Sequence, residues 1–272
     1  MKENLTGRQA VCDHLECGGY DIRVFDTVGS TNDIIRQLAN EGLPQGVAVI
    51  AKSQTAGRGK PGRSFYSPQN TGLYMSILLR PEFCARDCPL ITTAAAVAVA
   101  SAAERISGRQ AKIKWVNDVY MNGGKICGIL TESALRPGTD RLDFAVLGIG
   151  VNVYPPEGGF PNDIEHIAAA VFDGDKKDEN LIYMLAAYIL DDFGRLYKNI
   201  PDRIFLEEYK KRLFILGKTV FVQNGEERYK ATAEDIDGDC RLLVRREDGR
   251  TEYLSAGEVS LKPFDGKWCA DL

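Results

Sequence analysis

Twelve consecutive residues, Lys52-Ser53-Gln54-Thr55-Ala56-Gly57-Arg58-Gly59-Lys60-Pro61-Gly62-Arg63, carry four cations, three glycines and no carboxylate. Glycines let backbone amides approach an anion closely, and arginine forks pair with carboxylate or phosphate oxygens. The bias extends beyond the twelve. No Asp or Glu occurs from Gly42 to Pro81, although the 38 acids of the 272-residue chain would place about five or six there by chance. A solvated basic face usually mixes signs, so the stretch has the makings of an anion-holding loop; an ordinary basic connector is the plainer alternative. It is neither G-x-x-x-x-G-K-[ST] nor a dinucleotide fingerprint.

A second cluster is Lys112-Ile113-Lys114-Trp115-Val116-Asn117-Asp118, followed by Lys125 and then Gly128-Ile129-Leu130 and Glu132. If the two segments pair as strands, Asn117 or Asp118 and Lys125 point into one cleft. An Asp beside a Lys on a hairpin is also the commonest kind of weak surface ion pair. A third element, Gly148-Ile149-Gly150-Val151-Asn152-Val153, puts a polar Asn in an apolar strand. Its amide must find partners or cost about 1 to 3 kcal/mol, and a ligand is one such partner. No G-x-S-x-G elbow, paired histidine or activated cysteine motif is present, so covalent catalysis by the protein is not expected. What remains is chemistry done by positioning charged substrates and offsetting developing negative charge, as in phosphoryl and nucleotidyl transfer.

The elements that must carry these groups follow from periodicity and punctuation. A helix is expected from Asn4 to Cys17, with Thr6 and Gln9 as a capping box and Gly18-Gly19 as its stop. A strand over Tyr20–Val28 leads through Gly29-Ser30-Thr31-Asn32 into a helix capped by Ser30, with Ile34, Ile35 and Leu38 inward. Strands at Val47–Ala51 and Leu73–Leu79 flank a Gly, Ser and Pro-rich segment from Gln54 to Gly72, longer than an inert connection usually is. From Pro89 to Ile106 an Ala and Val-rich helix is apolar on most sides and belongs in a core. Strands follow at Ile113–Met121, Lys125–Glu132 and Phe144–Val153, the first two joined by a tight turn at Asn122-Gly123-Gly124. A long amphipathic helix over Asn180–Ile200 and a shorter one over Arg203–Leu213 close the first unit. Strands mixed with helices without strict alternation predict an α+β class: a mixed sheet with flanking helices. From Gly217 onward the texture becomes short strands, Thr219–Gln223, Tyr229–Ile236, Arg241–Arg246 and Thr251–Ser255, with turns at Asn224-Gly225, Asp237-Gly238 and Asp248-Gly249. The expectation is a small β-barrel, giving domains 1–216 and 217–272.

A net charge of −4 argues against a protein that coats a polyanion. The N-terminus lacks a basic cap followed by an apolar run, no stretch approaches about 18 apolar residues, and seven cysteines fall without disulfide rhythm. These features predict a cytoplasmic protein with free thiols and no membrane partner. The sequence Cys12-Asp13-His14-Leu15-Glu16-Cys17 lacks the second ligand pair that zinc needs, and is expected to be helix with incidental thiols.

The motifs Gly29-Ser30-Thr31-Asn32, Gln54-Thr55-Ala56-Gly57-Arg58-Gly59-Lys60-Pro61-Gly62-Arg63, Lys114-Trp115-Val116-Asn117-Asp118, Gly124-Lys125-Ile126-Cys127-Gly128-Ile129-Leu130 and Gly148-Ile149-Gly150-Val151-Asn152 resemble, in order and spacing, those of the biotin protein ligases. The similarity runs from about Phe25 to Val153. The segment from Gly217 to Leu261 resembles the SH3-like module that follows the catalytic domain in that family. The resemblance implies a class II synthetase-like catalytic sheet and a ligase that forms biotinyl-AMP from biotin and ATP, with Mg2+, then biotinylates a lysine of a biotin carboxyl carrier protein such as that of acetyl-CoA carboxylase. It implies that Ser30, Thr31, Asn32 and Gln54 bind the biotin head group. Arg58, Gly59 and Lys60 would contact biotin and its activated carboxylate, and Lys125 would be the cation at the reacting centre. Asn152 would read adenine, and Asn117 and Asp118, with Lys60 and Arg63, would lie by the phosphates. Asp118 is also the candidate for magnesium or for the proton of the incoming lysine.

Departures from the family pattern are Lys60 for Arg, Pro61 in the loop, Phe65 for Trp, and Val116 for Pro. Lys60 forfeits a bidentate fork, which predicts looser retention of the adenylate. Only about 20 residues precede the first strand, too few for the DNA-binding helix-turn-helix that some members carry, so direct DNA binding is not expected. A monomer and a homodimer are both compatible with the sequence. The competing functions are a lipoate ligase and a biotin-responsive regulatory module without turnover.

Overall fold

The computed structural model describes residues 2–59, 62–174, 177–255 and 259–263. Lys60 and Pro61 therefore lie outside the described residues, as do Cys269 and the rest of the chain after 263. The order is α1 (Leu5–His14), β1 (Asp21–Val28), α2 (Thr31–Asn40), β2 (Val47–Gln54), β3 (Gly72–Leu79), a 3-10 turn at Ala85–Asp87, α3 (Cys88–Ser107), β4 (Lys112–Lys114), β5 (Asp118–Met121), β6 (Gly124–Leu135), β7 (Leu142–Asn152), α4 (Glu179–Lys198) and α5 (Leu206–Arg212). Five shorter strands follow: β8 (Thr219–Asn224), β9 (Glu227–Ile236), β10 (Leu242–Arg246), β11 (Thr251–Leu254) and β12 (Val259–Pro263).

The first seven strands form one sheet in the order β1-β2-β3-β7-β6-β5-β4. β1 and β2 run parallel and every other neighbouring pair is antiparallel. This is the mixed sheet with flanking helices that the interrupted strand and helix order predicts. Register decides what each face carries, because directly opposed residues share a face and successive residues alternate. Leu73, Met75, Ile77, Cys127, Ile129, Leu147, Ile149 and Val151 go to one side, into a core shared with α3 and α4. Val49, Ala51, Leu78, Phe144 and Val146 go to the other, beneath Ile35 and Ala39 of α2. Beyond α2 that second face carries Ser76 opposite Gly148, Gly150 opposite Gly128, and Gly128 opposite Asp118.

The expectation that no stretch approaches a membrane span needs correcting for α3. By length and composition Ala85–Ser107 is apolar enough to cross a bilayer, and 72% of its most apolar window is buried within the fold. It is a core helix, with Leu90, Ala94, Val97 and Ala98 among the residues packed under the sheet and α4.

Four local expectations also differ. Asn4 caps α1, its side chain accepting from the amide of Gly7, while Gln9 bonds Asp13 one turn on instead of completing a capping box. The stretch Ile113–Met121 is two strands folded back on each other, with Lys114 opposite Asp118. Its reversal is held by groups distant in sequence: Trp115 Nε1 donates to the Cys240 carbonyl (2.9 Å), the Tyr209 hydroxyl donates to the Val116 carbonyl (3.0 Å), and Asn117 Nδ2 donates to the Ile129 carbonyl (2.6 Å). Local alternation cannot register such anchors. Arg203 takes a left-handed φ of 54° in a turn, so the helix begins at Leu206. In the turn after β9 the left-handed residue is Cys240 and not Gly238.

The turn at Asn122-Gly123 does have φ of 55° and 78°, the left-handed pair a two-residue hairpin requires. The later strands form a five-stranded antiparallel sheet in the order β11-β10-β9-β8-β12, consistent with an SH3-like module and containing one strand, β12, more than the turn signals suggest. The six described cysteines are free, and His14 of the Cys12–Cys17 segment contacts Asn180.

One ion pair near the base of the first sheet carries a testable charge. Glu104 accepts two bonds from Arg212 (2.8 and 2.9 Å) and one from the Ala111 amide (2.8 Å). Burial pushes its carboxyl up, but the Arg212 bonds, the Ala111 amide and the guanidinium charge together hold it below the ordinary carboxylate value. A depressed folded-state value means the pair stabilises above the unfolded value and is lost as pH falls through the folded one. Glu104→Gln is expected to cost about 1–2 kcal/mol in urea melts at pH 7. The deficit should shrink as pH drops through the acidic carboxylate range; a pH-independent deficit would show that the carboxylate charge is not its source.

Candidate active site

The cleft over the second sheet face is floored by glycines. A Cβ added at Gly150 would lie 2.6 Å from the Phe65 ring, and one at Gly128 would lie 3.3 Å from both Phe65 and the Lys125 ammonium. One at Gly148 would collide with the Asn32 side-chain oxygen. These glycines are small because aromatic, amide and ammonium groups are stacked directly on them.

At one end, α2 begins against the floor. Ser30 has the extended backbone of an N-cap but makes no capping bond, and its buried hydroxyl has no hydrogen-bond partner. The Thr31 amide and hydroxyl donate to Gln54 Oε1 (2.9 and 3.1 Å), and the Ser76 hydroxyl lies 2.7 Å from Thr31 Oγ1 and 2.6 Å from Asn32 Oδ1. Gln54 Nε2 donates to Ser67 and Asn32 Nδ2 to Glu132 Oε2 (3.1 and 2.8 Å). Ser30, Thr31, Asn32 and Gln54, 24 positions apart at the extremes, therefore form one polar nest. Ser67 and Ser76 are members the motif reading missed; the period-2 placement of Ser76 in an otherwise apolar β3 is the signal that marks it.

At the other end stands Lys125. Its ammonium is 2.6 Å from Asp118 Oδ1, both side chains being mostly buried. The backbone of Lys125 is strapped to the segment after β7: its amide donates to the Ile167 carbonyl and its carbonyl accepts from the Ala169 amide. Asn152 spends its side-chain amide on the Ala169 carbonyl (3.1 Å) and that of Lys125 (3.5 Å). The polar Asn of β7 thus has backbone partners, with its oxygen still available. Asn117, in contrast with Asp118, turns its amide to Ile129 and not to Lys125. Burial pushes the thiol of neighbouring Cys127 well up, so it stays protonated on the opposite face and is no nucleophile.

The glycine-rich loop closes the cleft between these ends. Gly59 donates to the Arg63 carbonyl and Phe65 to that of Gly57, a small hairpin that sets Phe65 over the floor. Arg58 does not stand free. It donates to Asp33 (2.8 Å) and Glu132 (2.9 Å), which Arg36 also binds (3.1 and 2.7 Å). The stretch is acid-free in sequence but not in space, because Asp33 and Glu132 arrive from α2 and β6. Lys52 leaves the cluster altogether, pairing with Glu179 (2.5 Å) and Asp26 (3.6 Å) near β1. Arg63 is exposed and has no ion pair among the described residues, and Lys60 lies outside them.

An α+β domain whose glycine-floored cleft joins a polar nest, a cationic loop and a mostly buried Lys–Asp pair is a frame that can hold charged substrates side by side. The sequence profile of the biotin/lipoate A/B protein ligase family matches residues 24–152, and that of the biotin protein ligase C-terminal domain matches 215–262. A biotin–[acetyl-CoA-carboxylase] ligase of Mycobacterium tuberculosis is 33% identical over 263 residues, covering 91% of this chain and 92% of the relative. A bifunctional ligase/repressor BirA of Bacillus spizizenii is 32% identical over 249 residues, covering 89% and 74%. Among solved structures, the Aquifex aeolicus biotin protein ligase in complex with biotin and ATP superposes with a TM-score of 0.69 at 27% identity, covering 89% of this chain and 98% of that one. The chain belongs to the biotin protein ligase family.

Proposed function

We propose that the protein is a cytoplasmic ligase that joins biotin to AMP and then passes the biotinyl group to a lysine of a biotin carboxyl carrier protein. The observation that carries this reading is the convergence of five separate sequence segments, around residues 30, 58, 118, 125 and 150, on one face of one sheet. The names of the relatives and the biotin and ATP of the Aquifex complex support it.

In this reading Ser30, Thr31, Asn32 and Gln54 take the ureido head of biotin. The unpartnered Ser30 hydroxyl supplies a donor or acceptor that is otherwise a costly vacancy in the hydrogen-bond balance. The carboxylate oxygen of biotin attacks the α-phosphorus of ATP, the bond to the β-phosphate oxygen breaks, and pyrophosphate leaves. Lys125 offsets the charge that accumulates on that phosphorus, and Arg58, Gly59 and Lys60 of the loop hold the resulting anhydride. Asn152 reads adenine through its free oxygen, with Asn117 and Arg63 toward the phosphates. If magnesium accompanies the nucleotide, Asp118 is the carboxylate that would help hold it, and the ion would offset phosphate charge there. The carrier lysine then attacks the anhydride carbonyl, AMP departs, and Asp118 takes the amine's proton.

Incubation with biotin, MgATP and a biotin carrier domain, followed by intact-mass measurement, is expected to add one biotinyl group. A parallel incubation with lipoate should add nothing; a lipoyl mass would assign the protein to the other acid, and tight biotin binding without pyrophosphate release would make it a regulatory module. Arg58→Ala is expected to shorten the half-life of the bound adenylate at least about tenfold, the worth of one charge-assisted bond, while changing ATP affinity far less. An unaltered adenylate half-life in rapid gel filtration would remove the loop from the site.

A further inference from the structure

Two arginines and two carboxylates meet at the mouth of the cleft, and their pairing has a direction. Arg58 spends both fork nitrogens, Nη1 on Asp33 and Nη2 on Glu132. Arg36 meets the same two carboxylates, and Glu132 uses its second oxygen to accept from Asn32. The four charges sum to zero, so Arg58 offers no unspent positive charge to an anion until it changes partner. Arg36, one turn along α2 from Asp33, stays paired with both acids when it does and offsets one of their two charges. The hairpin amides of Gly59 and Phe65 are bonded within the same loop, so the side-chain anchor and the loop's backbone order are one unit.

We infer that Asp33 and Glu132 are positioning residues that hold Arg58, and with it the bonded residues Gly57, Gly59, Arg63 and Phe65, in the ligand-free protein, so that an incoming acid anion binds by displacing them. The inference rests on the reading of Arg58 as the contact to the activated carboxylate. Asp33 is the informative half, because Glu132 also orients Asn32 whereas the Asp33 carboxylate pairs, among the described residues, with the two arginines alone. Its side chain is half exposed, so the hold it supplies is that of a solvent-screened pair.

Amide exchange in the ligand-free full chain reads the hold directly. Asp33→Asn, with Asp33→Ser as a second removal, is expected to speed exchange at Gly59 and Phe65 about two- to fivefold and to tighten biotin binding by a similar factor. Asp33→Glu should restore both toward wild type, a rescue that a merely structural role for the position would not require. Glu132→Gln should also free the loop but weaken biotin binding, because Asn32 loses its anchor. Unaltered exchange at Gly59 and Phe65 in Asp33→Asn overturns the hold, and faster exchange with unchanged or weaker biotin binding overturns the competition. Failure of the wild-type protein to bind biotin would count against the proposed function, while the exchange result would still decide whether Asp33 holds the loop.

Discussion

Lys125→Ala is expected to lower biotin- and ATP-dependent pyrophosphate release about 10²- to 10³-fold, the usual cost of removing one preorganised group that stabilises transition-state charge. Two effects add in the same direction. The substitution deletes the ammonium proposed to offset charge on the phosphorus, and it leaves Asp118, 2.6 Å away in wild type and largely buried, without that partner. Fold damage should be slight, because the strap to residues 167–169 runs through the backbone of Lys125 and survives truncation of its side chain. Pyrophosphate release by a coupled assay, with a thermal melt as control, checks it. Wild-type release from Lys125→Ala would strip Lys125 of its assigned role.

Gly148→Ala is expected to weaken biotin binding at least about 100-fold while costing about 1–3 kcal/mol of stability, the range for overpacking a tight site. A methyl at this position collides with the Asn32 side-chain oxygen. Asn32 has nowhere to yield: its oxygen accepts from the fully buried Ser76 and its nitrogen donates to Glu132. Displacing it disturbs Thr31 through Ser76 and Arg58 through Glu132, so one methyl reaches the head-group nest and the loop together. Titration calorimetry with biotin decides it. Near-normal affinity in a folded Gly148→Ala protein would place Asn32 outside the biotin site.

What the sequence made legible was whatever local chemistry governs. The left-handed pair at Asn122-Gly123 fixed the hairpin between β5 and β6, and the spacing of Leu181, Leu185, Ile189, Phe193 and Leu196 marks the inward stripe of α4, of which all but Leu181 are buried. Strand alternation brought Lys125 to a cleft with Asn117 or Asp118, and the structure chooses Asp118 while Asn117 turns to Ile129. What stayed hidden depends on contacts between distant segments. The reversal at Trp115–Asn117 is fastened by Cys240, Tyr209 and Ile129, 12 to 125 positions away. The carboxylates that hold Arg58 lie 25 and 74 positions from it, so a scan for acids along the loop could not find them. A local cue existed: Asp33 follows Ser30-Thr31-Asn32 directly and lies one turn before Arg36, a spacing that joins α2 charges to whatever packs on it.

The carbonyl of Cys240, in the turn between β9 and β10, receives the indole of Trp115, and the Cys240 thiol, pushed up to about 11 by burial, packs on Thr93 of α3. Trp115 lies three residues from Asp118. Chimeras that swap the tail of one relative for another would therefore inherit a mismatched keystone: the graft must keep a backbone oxygen where the tryptophan expects it, or the acidic half of the Lys125–Asp118 pair drifts though no residue in the cleft has changed.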